Sequence, residues 1–275
     1  MILRNNLFNI ISMKVKTRNG NLEEVKFDLI TEKIDYLSKK NSKLNVDPVF
    51  VAQTICGLIY DGITTKELDE FSAGHCATFF KEDPDYLILA SRIAINNHHK
   101  NTDSNFLDVM KKLNKDGIVS DFIIEVASEN EEFINSTIDY EKDYLITYFG
   151  FKSLEKSYLL KINNVSVERP QHLFMRVALA IHGHDVDMVK KVYESLSNKY
   201  YTHATPTLFN AGTNFQQLSS CFLIGTEDSV EGLYKTASDI ALISKWAGGI
   251  GVHISNVRAS NSYINKTGGV SNGIM

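Results

Sequence analysis

The sequence has few cysteines and none of the common motifs that hold a metal ion or a nucleotide phosphate. Its three cysteines are Cys56, Cys76 and Cys221, an odd number with no C-x-x-C spacing. The eight histidines show no metal-ligand spacing, and no phosphate loop with Gly-Lys-Ser/Thr occurs. We therefore expect no metal in this chain and thiols that stay reduced, as in the cytoplasm.

The sequence also lacks features that would favour nucleic acids or membranes as partners. A formal net charge of -4 gives no electrostatic reason to bind nucleic acid, and no apolar run is long enough to span a bilayer. Residues 1–12 have neither the apolar core nor the cleavage site of a signal peptide. We interpret them as an extension before a structured chain that starts at Met13.

Turn and cap signals predict a small domain that ends near residue 100. Residues 14–18 and 22–27 flank Asn19-Gly20, which predicts a hairpin with a type I′ turn. Three helices are predicted after it. Asp47 caps the first, which runs to Gly62, Thr64-x-x-Glu67 opens the second, and the third runs from Asp83-Pro84 to Lys100.

The remaining sequence predicts further helices and then a parallel α/β arrangement. The helices are expected at 105–115 and 121–130, from Glu168-Arg169-Pro170 onward, and at 186–199, while Phe149-Gly150-Phe151 is expected to interrupt the pattern. Strands are expected at 200–203, 220–225 and 251–255. Between the last two strands, Asp228-x-x-Glu231 predicts the cap of a helix over 228–247. Strand, helix, strand is typical of parallel sheets.

Cys221 is the strongest candidate for a reactive side chain, and two interpretations of it are open. A lone cysteine is most often a small buried hydrophobe. A redox thiol would instead need a second thiol to form a disulfide, and Cys56 and Cys76, among apolar neighbours in the other predicted domain, are poor partners and are expected to be buried and inert.

The residues around Cys221 also allow a structural and a functional interpretation. Thr205, Thr207, Ser219 and Ser220 could be turn and cap residues or could line a polar pocket. Gly248-Gly249-Ile250-Gly251 could cap a helix or let the backbone approach a ligand closely. Asp228, Lys245 and Arg258 could be surface charges or could bind a sugar hydroxyl and phosphates.

Several long motifs closely resemble the large subunit of class I ribonucleotide reductase, of the eukaryotic and viral type. They are Arg169-Pro170-Gln171-His172, the segment 202–212, Leu218-Ser219-Ser220-Cys221-Phe222-Leu223, Ala241–Lys245, Ala247–Gly251 and Ser271-Asn272-Gly273. The resemblance runs from Met13 to Met275. It implies a mixed α/β chain with an N-terminal ATP-cone at 13–104, a helical region at 105–200, and the first strands of a ten-stranded α/β barrel at 201–275.

The resemblance implies an allosteric site in the ATP-cone that binds ATP or dATP. Thr17 stands where the family usually has a lysine, a difference that would remove one phosphate contact. The residues matching this activity site are Thr17, Arg18, Glu23, Glu24, Val25, Lys26, Phe27, Asp28, Leu29, Thr65, Asp69 and Lys100.

Two further sites are implied in the barrel part. Thr205, Ser220 and Gly249 match residues that hold the substrate diphosphate and ribose, and Cys221 matches one of the two cysteines that reduce the ribose and end as a disulfide. A site at the dimer interface, where a dNTP effector selects the substrate, is matched by Asp228, Ser229, Val230, Lys245, Arg258, Asn265 and Lys266.

The implied reaction converts a ribonucleoside diphosphate into a deoxyribonucleoside diphosphate by thiyl-radical chemistry. The implied partners are a second large subunit, a radical-generating small subunit that holds the metal, and a thioredoxin- or glutaredoxin-type reductant. The radical cysteine and the partner of Cys221 do not occur in the sequence, so we expect 275 residues alone to be inactive and to need a segment or second chain carrying the rest of the barrel. The alternative is a nucleotide-binding regulatory module without catalysis.

Overall fold

A computed structural model describes residues 13–265 and 268–274. The predicted extension at 1–12 and the predicted effector residue Lys266 lie outside the described residues. The chain divides into two compact units. Residues up to Asp116 together with Ala127–Met175 form the first, and Gly117–Val126 together with residues from Arg176 onward form the second.

The first unit begins with a β-hairpin followed by helices. Its strands are β1 (Lys14–Lys16), β2 (Leu22–Glu24), β3 (Lys161–Ile162) and β4 (Val165–Ser166). Its helices are α1 (Phe27–Lys39), α2 (Pro48–Cys56), α3 (Thr65–Thr78), α4 (Asp85–Asn101), α5 (Phe106–Lys115), α7 (Glu131–Thr137) and α8 (Tyr148–Ser153). Helix α6 (Asp121–Glu129) and helix α9 (Pro170–His182) each contribute residues to both units.

The first hairpin has the predicted position but a different turn. Strands β1 and β2 pair antiparallel, with Lys16 opposite Leu22, and Gly20 N–H donates to the Thr17 carbonyl at 2.9 Å. Gly20 has a φ of +86° and Asn19 is not in the left-handed region. A type I′ turn needs positive φ at both central residues, so that prediction is wrong: the loop is longer and only its glycine is left-handed.

Helix α1 was not expected from the sequence and replaces the end of the predicted second strand. Its first residue is Phe27, and its N-cap Lys26 makes no side-chain capping bond. Ile30, Ile34 and Leu37 follow Phe27 at helical spacing, and Ile34 and Leu37 are buried. This apolar periodicity is the feature of the sequence that predicts the helix, because the start of the helix carries no capping residue.

Helices α2 and α3 confirm the cap signals, and α4 begins directly after the predicted Asp83-Pro84. The Asp47 carboxylate accepts from the N–H groups of Val49 and Phe50. At the start of α3, the Thr64 hydroxyl accepts from Glu67 N–H at 3.1 Å, and the Glu67 carboxylate accepts from Thr64 N–H at 2.9 Å. Each bond satisfies a backbone donor that a helix start leaves free. Helix α2 ends at Cys56, earlier than the predicted Gly62.

The apolar core of the first unit lies between α1, α2, α3 and α4. Leu37, Ile55, Leu89 and Ile93 are buried in one cluster. Arg92 is buried beside it, and its guanidinium donates to the carbonyls of Leu37, Ser38 and Ser42 near the end of α1. These bonds attach α1 to α4, the longest helix of the unit, and so fix one wall of the cavity described below.

A second, polar cluster joins the end of α4 to the later part of the first unit. The Arg169 side chain donates to the carbonyls of His99 and Thr102 at 2.9 and 2.8 Å. Asp143 is fully buried and accepts from Gln171 Nε2 at 2.9 Å, with His99 Nε2 at 2.7 Å from its other oxygen.

The interruption predicted at Phe149-Gly150-Phe151 is wrong, because these residues lie within α8.

The second unit contains a helical part and a small parallel sheet. Its helices are α10 (Val186–Ser197), α11 (Thr205–Asn210) and α12 (Val230–Lys245), and its strands are β5 (Cys221–Gly225), β6 (Gly249–His253), β7 (Tyr263–Ile264) and β8 (Gly269–Val270). Arg176 is fully buried, and its guanidinium donates to the Leu208 and Ala211 carbonyls at the end of α11.

The unit β5–α12–β6 confirms the predicted parallel arrangement. The strands pair with Cys221 opposite Gly249 and Gly225 opposite His253. The end of α12 is followed by Ala247 at a φ of +61°, so the left-handed residue there is an alanine, while Gly249 already belongs to β6. The second strand therefore begins two residues earlier than predicted.

Two predictions in the second unit are wrong. Residues 200–203 are not a strand: within the described chain, each strand of this unit pairs with one other, β5 with β6 and β7 with β8, and none pairs with this segment. The cap of α12 is Ser229, whose hydroxyl accepts from Gly232 N–H at 3.0 Å. Asp228 instead forms an ion pair with Arg258, a partner thirty positions further along the chain that local sequence does not reveal.

Candidate functional site

A cavity of about 220 Å³ lies in the first unit, bounded by the β1–β2 hairpin, α1, α3 and the end of α4. We call it the hairpin cavity. Apolar side chains form part of its lining, among them Ile30, Ile34, Leu68 and Ile93. The remaining lining residues are Val15, Thr17, Arg18, Glu23, Glu24, Val25, Lys26, Leu29, Lys33, Thr65, Asp69, Ser72 and Lys100.

Asp69 connects the charged groups of the hairpin cavity. Its carboxylate accepts from the Arg18 guanidinium at 3.1 Å and forms a close ion pair with Lys33. The Asp69 side chain is 8% exposed, whereas those of Arg18 and Lys33 are 28% and 27% exposed. Burial lowers the pKa of Lys33 from its usual value, and the attraction of Asp69 opposes but does not cancel that effect.

Arg18 is further held by the last turns of α4. Its Nη2 donates to Asn97 Oδ1 at 2.6 Å and its Nε donates to Asn101 Oδ1 at 3.1 Å. The Asn101 amide donates back to the Asn97 carbonyl at 2.7 Å. These bonds fix the orientation of a guanidinium that would otherwise be mobile at the end of a hairpin.

The structure brings together ten of the twelve residues predicted for the activity site. Phe27 and Asp28 are not among the lining residues: Phe27 packs against the apolar clusters of the first unit, and Asp28 is exposed in the first turn of α1. Lys33 was missed. Its spacing from Leu29 and Ile30 on one helix face would have indicated it, had α1 been predicted.

An apolar interior beside basic groups suits a ligand with an apolar or aromatic part and an anionic part. Arg18, Lys26, Lys33 and Lys100 supply the positive charge. Guanidinium and ammonium groups bind phosphate and carboxylate oxygens through charge-assisted hydrogen bonds. The apolar side chains would contact a planar ring through dispersion and burial.

In the second unit, three of the predicted substrate and redox residues are neighbours. Gly249 N–H donates to the Ser220 carbonyl at 2.7 Å, and Cys221 is the register partner of Gly249. Cys221 is exposed, and the Ser220 hydroxyl lies 3.8 Å from its sulfur. Thr205 begins α11. The Thr207 hydroxyl of that helix donates to the Leu218 carbonyl at 3.2 Å, a bond that attaches α11 to the segment before β5.

The three thiols lie in contrasting environments. Cys56 and Cys76 are buried and Cys221 is exposed. Burial raises the pKa of the Cys76 thiol to about 12 and also raises that of Cys56. The prediction that these two are buried is confirmed, and the interpretation of Cys221 as a buried hydrophobe is wrong for the described chain.

The residues predicted for the specificity effector lie around the start and end of α12 and in the segment after β6. Arg258 Nε is 2.6 Å from Asp228 Oδ2, and this pairing lowers the pKa of Asp228. Ser229 caps α12, Val230 is exposed at its first turn, and the Lys245 ammonium lies 5.3 Å from the centre of the Trp246 ring. Asn265 follows β7.

The described residues contain neither a candidate membrane-spanning helix nor a candidate metal-binding cluster. No helix within 13–265 and 268–274 is both long and apolar enough to cross a membrane. In the same ranges, no three His, Cys, Asp or Glu side chains are grouped so that they could hold a metal ion.

Three family models match successive parts of this chain. The ATP cone domain matches residues 13–101, the all-alpha domain of ribonucleotide reductase matches 144–216, and the barrel domain of ribonucleotide reductase matches 219–275. Their order along the chain is that of the three regions expected from the sequence. The bounds predicted for those regions stay a prediction.

Curated relatives extend this similarity over nearly the whole chain. The ribonucleoside-diphosphate reductase large subunit of Variola virus is 50% identical over 273 residues, which are 96% of this chain and 35% of that protein. This chain belongs to the ribonucleotide reductase large-subunit family. The large chain 2 of Saccharomyces cerevisiae is 48% identical over 273 residues and the large subunit of Arabidopsis thaliana 46%, with 31% and 34% of those proteins covered.

Membership of the ribonucleotide reductase family confirms the resemblance seen in the motifs, including its eukaryotic and viral type. It also confirms the fold class: a mixed α/β chain with an N-terminal ATP-cone, a helical region and part of a barrel domain. The chain spans about a third of the length of the curated relatives it matches.

Proposed function

We propose that this chain works in the large subunit of a ribonucleoside-diphosphate reductase and that the hairpin cavity is its ATP or dATP activity site. One observation carries the proposal: ten residues assigned to that site by their motif positions line one cavity, within the region that matches the ATP cone. The proposed consequence is allosteric control of the formation of deoxyribonucleoside diphosphates.

The chemistry of the hairpin cavity fits a nucleotide. A volume of about 220 Å³ is below the roughly 300–1,000 Å³ of pockets that enclose drug-sized ligands. A cavity of this size encloses only part of a nucleotide. We therefore place the base and sugar among Ile30, Ile34 and Ile93, and the phosphates toward the basic groups of Arg18, Lys33 and Lys100. The absence of an amine at Thr17 removes one phosphate contact of the usual family site, so we expect binding that depends strongly on Arg18.

Cys221 is proposed as one of the two thiols that reduce the substrate ribose, with Thr205, Ser220 and Gly249 binding its phosphate and sugar. In the balanced reaction the 2′-hydroxyl leaves as water, and a dithiol supplies two electrons and becomes a disulfide. Cys56 and Cys76 are buried in the first unit, so the second thiol of the pair would belong to the remainder of the large subunit. A thioredoxin- or glutaredoxin-type protein would return the disulfide to the dithiol.

Asp228, Ser229, Val230, Lys245, Arg258, Asn265 and Lys266 are proposed to bind the dNTP that selects the substrate. The ion pair between Asp228 and Arg258 supports this proposal, because it holds a carboxylate and a guanidinium side by side near the start of α12. A carboxylate can accept from a sugar hydroxyl, and a guanidinium can donate to phosphate oxygens. A second large subunit and a radical-generating small subunit with its own metal site are the proposed partners.

The first test measures binding of ATP and dATP to the 275-residue chain by isothermal titration calorimetry. Lys33→Met should weaken binding at least tenfold, because it removes a cation from the hairpin cavity. Lys39→Met is the matched control: it changes the same residue type on the same helix, where Lys39 is 59% exposed and paired with Asp35. Equal affinities for both variants and the wild type would contradict the assignment of the cavity.

The second test is a reductase assay with a ribonucleoside diphosphate, ATP and a dithiol. It is run with and without the remainder of the large subunit and a radical-generating small subunit. Activity that requires the added segment and is abolished by Cys221→Ser would support the proposal. Nucleotide binding without activity in any combination would favour the alternative, a regulatory module without catalysis.

A further inference from the structure

A second cavity in the first unit, of about 420 Å³, lies on the other side of the last turns of α4. We call it the lysine cavity. It is bounded by the start of α3, the end of α4, a π-helical turn at Leu154–Tyr158 and the β3–β4 hairpin. Its volume is within the roughly 300–1,000 Å³ typical of small-molecule sites, and no residue predicted for a functional site lines it.

The lining of the lysine cavity carries an excess of positive charge. Four lysines face two glutamates, and the single histidine, His98, is kept neutral at physiological pH because burial lowers its pKa. The four lysines are Lys66, Lys152, Lys156 and Lys161, and the two glutamates are Glu70 and Glu155. They come from separate elements, which converge at this cavity only in the folded chain.

The two glutamates do not neutralise the four lysines. Lys152 Nζ pairs with Glu155 at 2.6 Å, and Lys161 Nζ donates to the Lys156 carbonyl at 2.6 Å. In the described part of the chain, the ammonium groups of Lys66 and Lys156 have no carboxylate within 4.0 Å. Two cations are thus available at the edge of the cavity without breaking an existing ion pair.

An unsatisfied hydroxyl lies in the wall of the lysine cavity. Ser166 lines the lysine cavity, and its buried Oγ has no hydrogen-bond partner among the described residues. Buried polar groups in native proteins are nearly always paired, so an unpaired one needs a specific explanation. The π-helical turn at Leu154–Tyr158 also borders this cavity, and such turns occur frequently at functional sites.

We infer that the lysine cavity binds a phosphate chain, with Lys66 and Lys156 neutralising its charge. Lysine binds phosphate as a compact point charge with three donors. The excess of lysines favours an anion over a neutral ligand, and the spread of the cations over several elements favours a chain of phosphates over a single one. Either inorganic polyphosphate or the triphosphate of a nucleotide carries this chemistry.

The lysine cavity and the hairpin cavity share a wall but can be tested separately. Asn97 Oδ1 accepts from Arg18, a lining residue of the hairpin cavity, while Asn97 Nδ2 donates to the Lys66 carbonyl on the other side. Lys33 lines the hairpin cavity alone, and Lys66 and Lys156 line the lysine cavity alone. The inference therefore does not depend on the ligand of the hairpin cavity.

The experiment measures binding of inorganic tripolyphosphate to the 275-residue chain by equilibrium dialysis, in the Lys33→Met background. Adding Lys66→Ala and Lys156→Ala together should remove one equivalent of bound tripolyphosphate. The control adds Lys111→Ala and Lys190→Ala, which make the same change of charge at two exposed helix positions and should leave the equivalent intact.

Two results would overturn the inference. The first is an unchanged number of equivalents and unchanged affinity in the Lys66/Lys156 variant. The second is an equal loss in the Lys111/Lys190 control, which would show that binding follows net charge rather than this cavity. Replacing tripolyphosphate by ATP identifies the source of the phosphate chain: tighter binding of ATP indicates a nucleotide, and equal binding indicates that the inorganic chain suffices.

Discussion

Replacing Asp69 by asparagine tests the ion-pair cluster of the hairpin cavity. The change removes a negative charge that accepts from Arg18 and Lys33. Breaking a fully buried pair costs about 3–5 kcal/mol, and an exposed pair contributes at most about 1 kcal/mol. Because Asp69 is 8% exposed and its partners 27–28% exposed, we expect Asp69→Asn to lower the stability of the first unit by about 2 kcal/mol.

Hydrogen exchange locates this effect. A loss of about 2 kcal/mol corresponds to roughly 30-fold faster exchange of amides that open by local unfolding. The increase should appear in peptides from α1 and α3, and peptides from α10 in the second unit should be unaffected. Asp35→Asn is the matched control, because it makes the same replacement in an exposed pair with Lys39 and should change exchange by a few-fold at most.

The pH dependence gives a second, independent test of Asp69→Asn. Burial already lowers the pKa of Lys33, and Asp69 opposes this, so its loss should lower that pKa further. A lysine with a lowered folded pKa destabilises the fold below that pKa, and this penalty disappears as pH rises toward the unfolded value of about 10.4. The stability difference between variant and wild type in urea should therefore shrink as pH rises, and a constant difference would refute the reasoning.

Three further predictions address other parts of the chain. Thr64→Ala should lower the stability of the first unit by about 1 kcal/mol in urea denaturation, whereas an unchanged midpoint would show that the capping box of α3 is dispensable. In the folded chain, Ellman's reagent should label Cys221 rapidly and leave Cys76, whose pKa is about 12, unlabelled, so that Cys221→Ser removes the fast phase; rapid labelling of two or more thiols would contradict this. Burial lowers the pKa of His172 from its usual value to about 3. The stability that its neutral ring contributes is therefore complete above pH ~6.5 and is lost as pH falls toward 3. An acid titration followed by circular dichroism should show a shallower loss of stability in His172→Gln than in the wild type, and identical slopes would count against this prediction.

Local signals in the sequence predicted the elements whose ends are fixed by neighbouring residues. The Asp47 cap and the Thr64–Glu67 capping box are formed by side chains within three residues of the backbone groups they satisfy. The parallel unit β5–α12–β6 was also predictable, because alternating strand and helix patterns leave few arrangements. In these places short-range chemistry and the final fold agree.

The failures have long-range causes. Helix α1 starts without a capping side chain, so its existence depends on burying Ile34 and Leu37 against other helices. Asp228 looked like a cap but pairs with Arg258. Most residues of the hairpin cavity were predicted from the family resemblance rather than from local pattern. Lys33 was missed because α1, the helix that carries it, was not predicted.

Gly248 and Gly249, directly before and at the start of β6, lie where a side chain would have little room. Cys221 lies opposite Gly249, and a Cβ at Gly249 would lie 3.3 Å from the Ser220 carbonyl. At the adjacent Gly248, it would lie 2.7 Å from Ile243 and 2.8 Å from the Phe222 ring. In a library of random substitutions selected for a functional chain, replacements of Gly248 should be strongly depleted, because a side chain there must displace Ile243 or Phe222. Replacements of Gly249 should be depleted less, because the Ser220 carbonyl has to move by only a few tenths of an ångström.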